Sequence, residues 1–206
     1  IYCAEDESVP GSTSDKYAVS PVHLLVPTLG DRMKAASPAT RVVSVSAKDR
    51  AAVMMGGKTA DQTWWWGGKG FVSYTGTAEA PIVTRANATI AAQIATAQPA
   101  LALPEYCKPR DVAVTAGSRT VGTGRFARAA GDARAFRASP EIDGATLALA
   151  AAFFEEMKLG RGDATDVLIV GASATDYVGH GYGTEGTEMC LQLTSHDRDL
   201  GAFFDV

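Results

Sequence analysis

The sequence predicts an α/β fold, a layered sandwich in which helices cover a mostly parallel sheet. A nearly continuous apolar run over residues 166–171 is typical of a parallel strand covered on both faces. The preceding helix opens at Ser139-Pro140-Glu141, is apolar over much of its circumference and ends at Gly160. A helix, a tight turn and a buried strand in this order indicate an α/β sandwich.

Shorter patterns predict the elements of the first half of the chain. Ser20 and Pro21 predict the start of a helix that continues to Lys34, with Pro27 as a point of strain. Segment 41–47 alternates β-branched and small residues, as a short strand does. The later patterns predict a short helix over 51–55, a small hairpin that joins 64–66 to 71–75, and a helix over about 80–97.

The second half of the chain contains a segment without a clear hydrophobic period and a final helix. Segment 98–139 is rich in Pro, Gly, Arg and Ala without a clean period, so we expect loops with short elements, such as a strand over 111–115. The final helix is predicted over about 185–204, with one apolar inner face. Its members are Met189, Leu193, Leu200 and Phe204.

Composition indicates a globular protein. The 206 residues are 46% hydrophobic and 20% charged, which suits one domain or most of one. The net charge of −4 and the lack of a basic run argue against a nucleic-acid polymer as partner. No apolar stretch reaches the length that crosses a bilayer, so we expect no transmembrane segment.

Three cysteines, Cys3, Cys107 and Cys190, lie far apart without a CxxC motif. They predict neither a zinc ribbon nor a redox motif, so any metal here would need His and carboxylate ligands. The odd count leaves at least one thiol unpaired. Cys190 lies in an apolar helical pattern, which we interpret as the place of a buried free thiol; the pairing of the three stays open.

The sharpest candidate site directly follows the buried strand, where ligands bind in open α/β sheets. Asp176 and His180 are four residues apart in the segment 173–183. On a helical turn both side chains would lie on one face, and a carboxylate with an imidazole suits zinc better than calcium or magnesium. The alternative is that Asp176 caps a helix and His180 makes a local hydrogen bond.

A second candidate site follows the strand over 41–47. Lys48 and Arg50 are two residues apart, so in extended chain both side chains would point into one cleft and could hold a phosphate. The alternative is that both are solvated surface charges.

Other conspicuous residues carry weaker signals. His196 is expected to be a partly buried structural histidine, and His23 to face solvent or make a local bond. The run Trp64-Trp65-Trp66 could line an aromatic pocket, but alternation along a strand places at least one of its members in the core. We assign no chemistry to the glycine-rich segment 122–125.

Several of these segments together resemble the alkaline phosphatase superfamily. The similarity is to its threonine-nucleophile, phosphate-irrepressible monoesterase branch, which is related to nucleotide pyrophosphatases and type I phosphodiesterases. Asp-x-x-Gly-His is shared by several branches, whereas Lys-x-Arg after a strand is more selective for monoesterases. The segments that carry the resemblance are Tyr2-Cys3-Ala4-Glu5-Asp6, 20–31, Ser46-Ala47-Lys48-Asp49-Arg50, Gly70-Phe71-Val72-Ser73 and 174–180.

The resemblance implies an alkaline-phosphatase-like sandwich with a site for two zinc ions. In that family a threonine attacks the phosphorus of a small phosphate ester, and the phosphothreonine is then hydrolysed to release inorganic phosphate. Asp176 and His180 match two ligands of one zinc, while Lys48 and Arg50 match side chains that hold phosphate oxygens. The resemblance also implies a periplasmic or secreted enzyme.

The same resemblance implies that the nucleophile and the other metal ligands lie outside these residues. We therefore expect residues 1–206 to be an internal part of a single domain, with insertions peripheral to the sheet within 56–139. The chain alone is expected to be inactive, and its expected partners are the remaining segments of the same enzyme.

Two alternatives stay open. A phosphodiesterase or nucleotide pyrophosphatase would share Asp176 and His180 but would have less need of Lys48 and Arg50, so these cations favour a monoesterase. A non-catalytic fragment that binds metal or phosphate would belong to another class altogether.

Overall fold

The structure is a computed structural model that describes residues 2–206, with Ala116 described by its backbone alone. The described residues form eight short strands and seven α-helices, with one 3-10 helix over Glu105–Arg110. The strands are β1 (Glu5–Asp6), β2 (Ala18–Val19), β3 (Val42–Ser46), β4 (Gln62–Trp66), β5 (Phe71–Val72), β6 (Val114–Ala116), β7 (Arg119–Val121) and β8 (Val167–Gly171). The helices are α1 (Leu29–Ala36), α2 (Asp49–Gly56), α3 (Pro81–Ala95), α4 (Ala133–Arg137), α5 (Glu141–Glu156), α6 (Ala174–Tyr182) and α7 (Thr187–Phe204).

A four-stranded sheet in the order β5-β4-β3-β8 forms the centre of the molecule. β3 pairs in parallel with β4 on one side and with β8 on the other, and β5 closes the far edge antiparallel to β4. The predicted α/β class with a mostly parallel sheet is confirmed. The predicted hairpin is β4–β5, whose first strand also belongs to the parallel part of the sheet.

Helices cover both faces of this sheet and make a layered sandwich. α2 packs on one face, and α5 packs on the other, with α3 and α7 against the outside of α5. Ser44 Oγ of β3 donates to the carbonyl of Ala52 in α2 at 2.8 Å. A Cβ at Gly56 would lie only 3.0 Å from Ser44 Cβ, so the close approach of α2 to the sheet requires glycine there.

The three tryptophans of β4 alternate between the two faces of the sheet. Trp64 and Trp66 pack on the α5 side, where Trp66 stacks on Phe136 with ring centres 5.5 Å apart. Trp65 packs with Val53 of α2 on the other side. All three are buried, so they are core residues and do not line an open pocket.

The first helix is shorter than the sequence pattern predicts. The prediction of a helix from Ser20 is wrong, because α1 begins at Leu29 behind a capping box. Thr28 Oγ1 accepts from Asp31 N at 3.2 Å, and Asp31 Oδ2 accepts from Thr28 N at 2.9 Å. Pro27 therefore precedes the helix and does not kink it, while Ser20 Oγ donates to Asp6 Oδ2 at 2.8 Å.

The range of β8 matches the prediction, but its burial does not. All its residues are half-buried, because β8 lies at an edge of the sheet and no further strand among residues 2–206 pairs with its outer side. A run of apolar residues indicates that both faces of a strand are covered. It does not indicate whether another strand pairs with the outer edge of that strand.

The predicted inner face of α7 is wrong in part. Leu193 and Phe204 are 53% and 77% exposed. The buried face carries polar residues, which a search for apolar periodicity cannot find. Its members are Thr187, Glu188, Met189, Leu191, Gln192 and Ser195.

Within 56–139 the elements divide between the sheet and its surroundings. β4 and β5 belong to the central sheet, and α3 packs on α5. The 3-10 helix, the β6–β7 hairpin and α4 lie outside the sheet, and the strand predicted over 111–115 is β6 at Val114–Ala116. The division of the chain into domains stays a prediction. No helix among residues 2–206 combines the length and the apolarity that crossing a membrane requires.

The interpretation of Cys190 as a free thiol is wrong, because it forms a disulfide with Cys107. The bond ties the 3-10 helix to α7 across 83 residues, and Cys3 is free and exposed. Cysteine spacing alone could not identify the pair, since the two residues meet only after the segment between them folds.

We expect reduction of the disulfide to destabilise the protein measurably. Closing a loop of this length lowers the entropy of the unfolded chain by an amount equivalent to about 4–5 kcal/mol, and measured losses are commonly about 2–5 kcal/mol. Urea denaturation of Cys107→Ser should show a reduced free energy of unfolding. Cys3→Ser is the matched control, and equal stability of the two variants would contradict a stabilising bond.

Candidate active site at the carboxyl ends of the parallel strands

The register of the sheet brings both predicted sites to one edge. Ser46 lies opposite Gly171 in the parallel pair of β3 and β8, so both strands end at the same level. Lys48 follows β3 and is the N-cap residue of α2, and α6 begins three residues after β8. The chain segments that carry the four predicted residues therefore leave the same edge of the sheet.

Asp176 and His180 lie one turn apart on the same side of α6. Asp176 Oδ1 is 3.6 Å from His180 Nε2. Two ligands at about 2.0–2.1 Å from a tetrahedral zinc lie roughly 3.3–3.4 Å apart, so this spacing suits two ligands of one ion. Within residues 2–206 no group of three or more His, Cys, Asp or Glu side chains could hold a metal, so the pair supplies half of a tetrahedral set at most.

Lys48 binds the other oxygen of the same carboxylate. Its Nζ donates to Asp176 Oδ2 and lies 4.9 Å from the centre of the Tyr177 ring. The Lys48 side chain is 12% exposed, whereas that of Asp176 is 49% exposed and open to a ligand. The hydrogen bond from Lys48 is the main reason why the pKa of Asp176 is lowered, and the charges of Lys48, His180 and Arg50 add to this effect.

Arg50 reaches the site from the first turn of α2 and not from extended chain. The prediction that Lys48 and Arg50 share an extended segment is wrong, since β3 ends at Ser46 and α2 begins at Asp49. Arg50 Nη1 donates to Tyr2 Oη at 3.0 Å. The N-terminus of α2 adds its partial positive charge at this edge.

Two tyrosines hold Asp49 beside Arg50. Tyr2 Oη donates to Asp49 Oδ1 at 2.8 Å, and Tyr17 Oη donates to Asp49 Oδ2 at 2.6 Å. Burial and the hydrogen bond to the Asp49 carboxylate raise the pKa of Tyr17. The hydroxyl protons therefore stay in place, and Tyr2 connects the carboxylate of Asp49 to the guanidinium of Arg50.

A third cation at this edge, Arg137, has no signal in the sequence pattern. Its guanidinium carbon lies 4.9 Å from the centre of the Tyr177 ring, the ring that Lys48 also approaches. Tyr177 Oη donates to the carbonyl of Ala47 at 3.3 Å, which fixes the ring at the end of β3. Arg137 lies in α4, within the segment that has no readable period, so nothing in the sequence pattern pointed to it.

The other two histidines lie outside this group. His23 Nε2 is 2.8 Å from Glu7 Oε2, which is the local contact expected for it. His196 lies in α7 with its Nδ1 3.3 Å from Asp143 Oδ2 and is partly buried, in agreement with a structural role. Chemically, the edge offers two potential metal ligands with cations beside them, a combination suited to a small anion such as phosphate.

Curated proteins similar to the chain are alkaline phosphatases. No protein-family model matches the chain. It is 62% identical over 206 residues to alkaline phosphatase PhoK from a Sphingomonas species, matching all of this chain and 37% of that protein. It is 40% identical over 202 residues to alkaline phosphatase PhoD of Zymomonas mobilis, matching 97% of this chain and 35% of that protein.

A solved structure shares the fold. The crystal structure of wild-type alkaline phosphatase PafA aligns with a TM-score of 0.78 and 27% identity over the whole of this chain and 43% of that one. PafA of Elizabethkingia meningoseptica is 31% identical in sequence over 224 residues, which is 41% of its length. The chain thus spans about two fifths of the length of the curated relatives it matches. By sequence and by fold, the chain belongs to the alkaline phosphatase superfamily.

Proposed function

We propose that this chain is part of a zinc-dependent phosphate-monoester hydrolase that acts through a phosphothreonine intermediate. The observation that carries the proposal is the meeting of Lys48 with Asp176 and His180 at one edge of the sheet. A cation that can bind phosphate oxygens therefore adjoins a pair that suits zinc. The alkaline phosphatases similar to the chain support the same reaction class.

The proposed role of Lys48 and Arg50 is to bind the non-bridging oxygens of the phosphoryl group. Lys acts as a point charge, and Arg offers a planar fork that can donate two hydrogen bonds. Tyr2 holds Arg50 in place, and the N-terminus of α2 adds partial positive charge. A monoester carries about two negative charges at alkaline pH and a diester carries one, so these cations favour the monoester.

The proposed zinc ligands in this chain are Asp176 Oδ1 and His180 Nε2. Lys48 donates to Oδ2 of Asp176. The other oxygen, Oδ1, faces His180 and is free to bind an ion. A zinc ion at this pair would act as a Lewis acid that polarises phosphoryl oxygens. The second zinc and the threonine nucleophile of the proposed mechanism would be supplied by other parts of the enzyme.

The proposed partners are small phosphate esters, inorganic phosphate and the remaining segments of the same enzyme. Two surfaces support the last of these. The outer edge of β8 is apolar and half-buried, and a groove of about 970 Å³ runs between α3, α5 and α7. An apolar sheet edge left open favours unwanted pairing with other chains, so cover from the same polypeptide would stabilise it. Without those segments the chain is proposed to be inactive.

A periplasmic or secreted location is proposed as well. The Cys107–Cys190 disulfide supports it, because structural disulfides form and persist mainly in oxidising compartments.

The first test of the proposal compares monoester and diester hydrolysis in the complete enzyme. Replacing both Lys48 and Arg50 by Ala should lower kcat/KM for an aryl phosphate monoester about 100-fold or more, as loss of preorganised charge does. The methyl diester, with one charge fewer, should lose less than about 10-fold. Steady-state kinetics at verified zinc content measures both.

A matched control removes two exposed cations from the opposite edge. Lys58 precedes β4 and Arg161 precedes β8, so Lys58→Ala with Arg161→Ala should leave both activities near the wild type. Equal losses for both esters in the Lys48/Arg50 variant would count against the phosphate role and favour a phosphodiesterase.

The second test removes the proposed metal ligands. Asp176→Ala and His180→Ala should each lower zinc content and reduce hydrolysis of both esters, because either substrate would need the same ion. Zinc is measured by elemental analysis after dialysis, and activity is measured with and without added zinc. His23→Ala, which breaks only the contact with Glu7, serves as control. Full zinc content in Asp176→Ala would refute the assignment.

A further inference from the structure

A carboxylate from another helix caps the helix that carries the proposed ligands. α6 begins after Ser173, whose own side chain makes no capping hydrogen bond. Instead Asp143 Oδ1 of α5 accepts from the backbone N–H of Ser173 at 2.7 Å and of Ala174 at 2.9 Å. A side chain of α5 thus satisfies donors that α6 cannot satisfy internally.

Asp143 is almost completely removed from water. The residue is 1% exposed, and this burial raises the pKa of its carboxyl group, while the two backbone hydrogen bonds oppose that rise. Burying a carboxylate costs free energy unless it accepts several hydrogen bonds. Here the bonds that offset the cost are made at the start of α6, so their loss would disturb that helix first.

The second oxygen of Asp143 faces α7. Gln192 Nε2 donates to Oδ2 at 3.2 Å and also lies 3.4 Å from Thr175 Oγ1. His196 Nδ1 approaches Oδ2 to 3.3 Å without hydrogen-bond alignment, and Gln192 Oε1 is buried with no partner among the described residues. One carboxylate therefore connects α5, the start of α6 and the polar face of α7.

We propose that Asp143 is a positioning residue for the metal ligands of α6. Asp176 is two residues beyond Ala174, in the first turn of the helix, so the direction of its side chain depends on how that turn is held. His180 follows one turn later on the same side. Asp143 touches neither ligand and acts through the backbone of the capped turn. As a claim about metal ligands, this inference rests on the proposed function.

Three variants separate positioning from general stability. Asp143→Ala removes the cap. Asp143→Asn keeps a carbonyl oxygen that can accept both backbone bonds, and its NH₂ group can donate to Gln192 Oε1 after an amide flip. Thr146→Val is the matched control, since Thr146 is equally buried in α5 but its hydroxyl bonds only within that helix, to Ile142 O at 2.7 Å.

The first measurement is zinc affinity in the full-length protein, by competition with a chromophoric chelator under conditions where circular dichroism shows each variant folded. Loss of a residue that orients a ligand commonly costs about 10–100-fold in metal affinity. We expect that loss in Asp143→Ala, less than about 10-fold in Asp143→Asn, and none in Thr146→Val. Wild-type zinc affinity in Asp143→Ala would overturn the proposal. So would a loss of zinc affinity in Asp143→Asn and in Thr146→Val as large as the loss in Asp143→Ala.

The second measurement does not depend on zinc. Hydrogen exchange in metal-free protein should quicken at the amides of residues 173–178 in Asp143→Ala, and remain close to wild type in Asp143→Asn and Thr146→Val. If the wild type binds no zinc, the proposed function fails, and the exchange data alone decide whether Asp143 holds α6. Unchanged exchange in Asp143→Ala would overturn the inference.

Discussion

The parallel pairing of β3 with β8 is the interaction on which the other features of this structure depend. The register sets Ser46 opposite Gly171, so two strands that are 125 residues apart along the chain end at the same level. Ser46 Oγ donates to the Gly171 carbonyl at 2.9 Å, and a Cβ at Gly171 would collide with that Oγ, so this end of β8 requires glycine. The start of α2 and the start of α6 consequently lie side by side.

The electrostatics of the site follow from that placement. Asp176 lies between Lys48, which donates to Oδ2, and His180, whose Nε2 lies 3.6 Å from Oδ1. Asp49, held by Tyr2 and Tyr17, places a negative charge beside Arg50. The carboxylates of Asp176 and Asp49 therefore offset part of the positive charge of Lys48 and Arg50 at this edge.

Buried polar side chains lie in the interior behind the site. Asp143 of α5 and Gln192 of α7 are both buried. Asp143 accepts from the backbone at the start of α6, and Gln192 donates to Asp143. Apolar packing can set how far apart two helices lie, but it is not directional, so directed hydrogen bonds are better suited to set the rotation of a helix that carries ligands. In the proposed enzyme this polar cluster would support the metal side of the site, and the Tyr2–Asp49 contact would support the phosphate side.

The sequence by itself determined the α/β class, β3, β8, α5 and the spacing of Asp176 and His180, because each rests on a pattern of neighbours along the chain. Asp-x-x-Gly-His and Lys-x-Arg also indicated the superfamily. Tertiary structure alone decided that Lys48 binds Asp176 and that Arg137 lies over Tyr177. It also decided that Cys107 pairs with Cys190. The burial of the polar residues Glu188, Gln192 and Ser195 on α7 was decided in the same way. Each of these features depends on residues that are far apart in the chain. The periodicity of neighbouring residues does not predict such contacts, because they form only when the helices pack on the sheet.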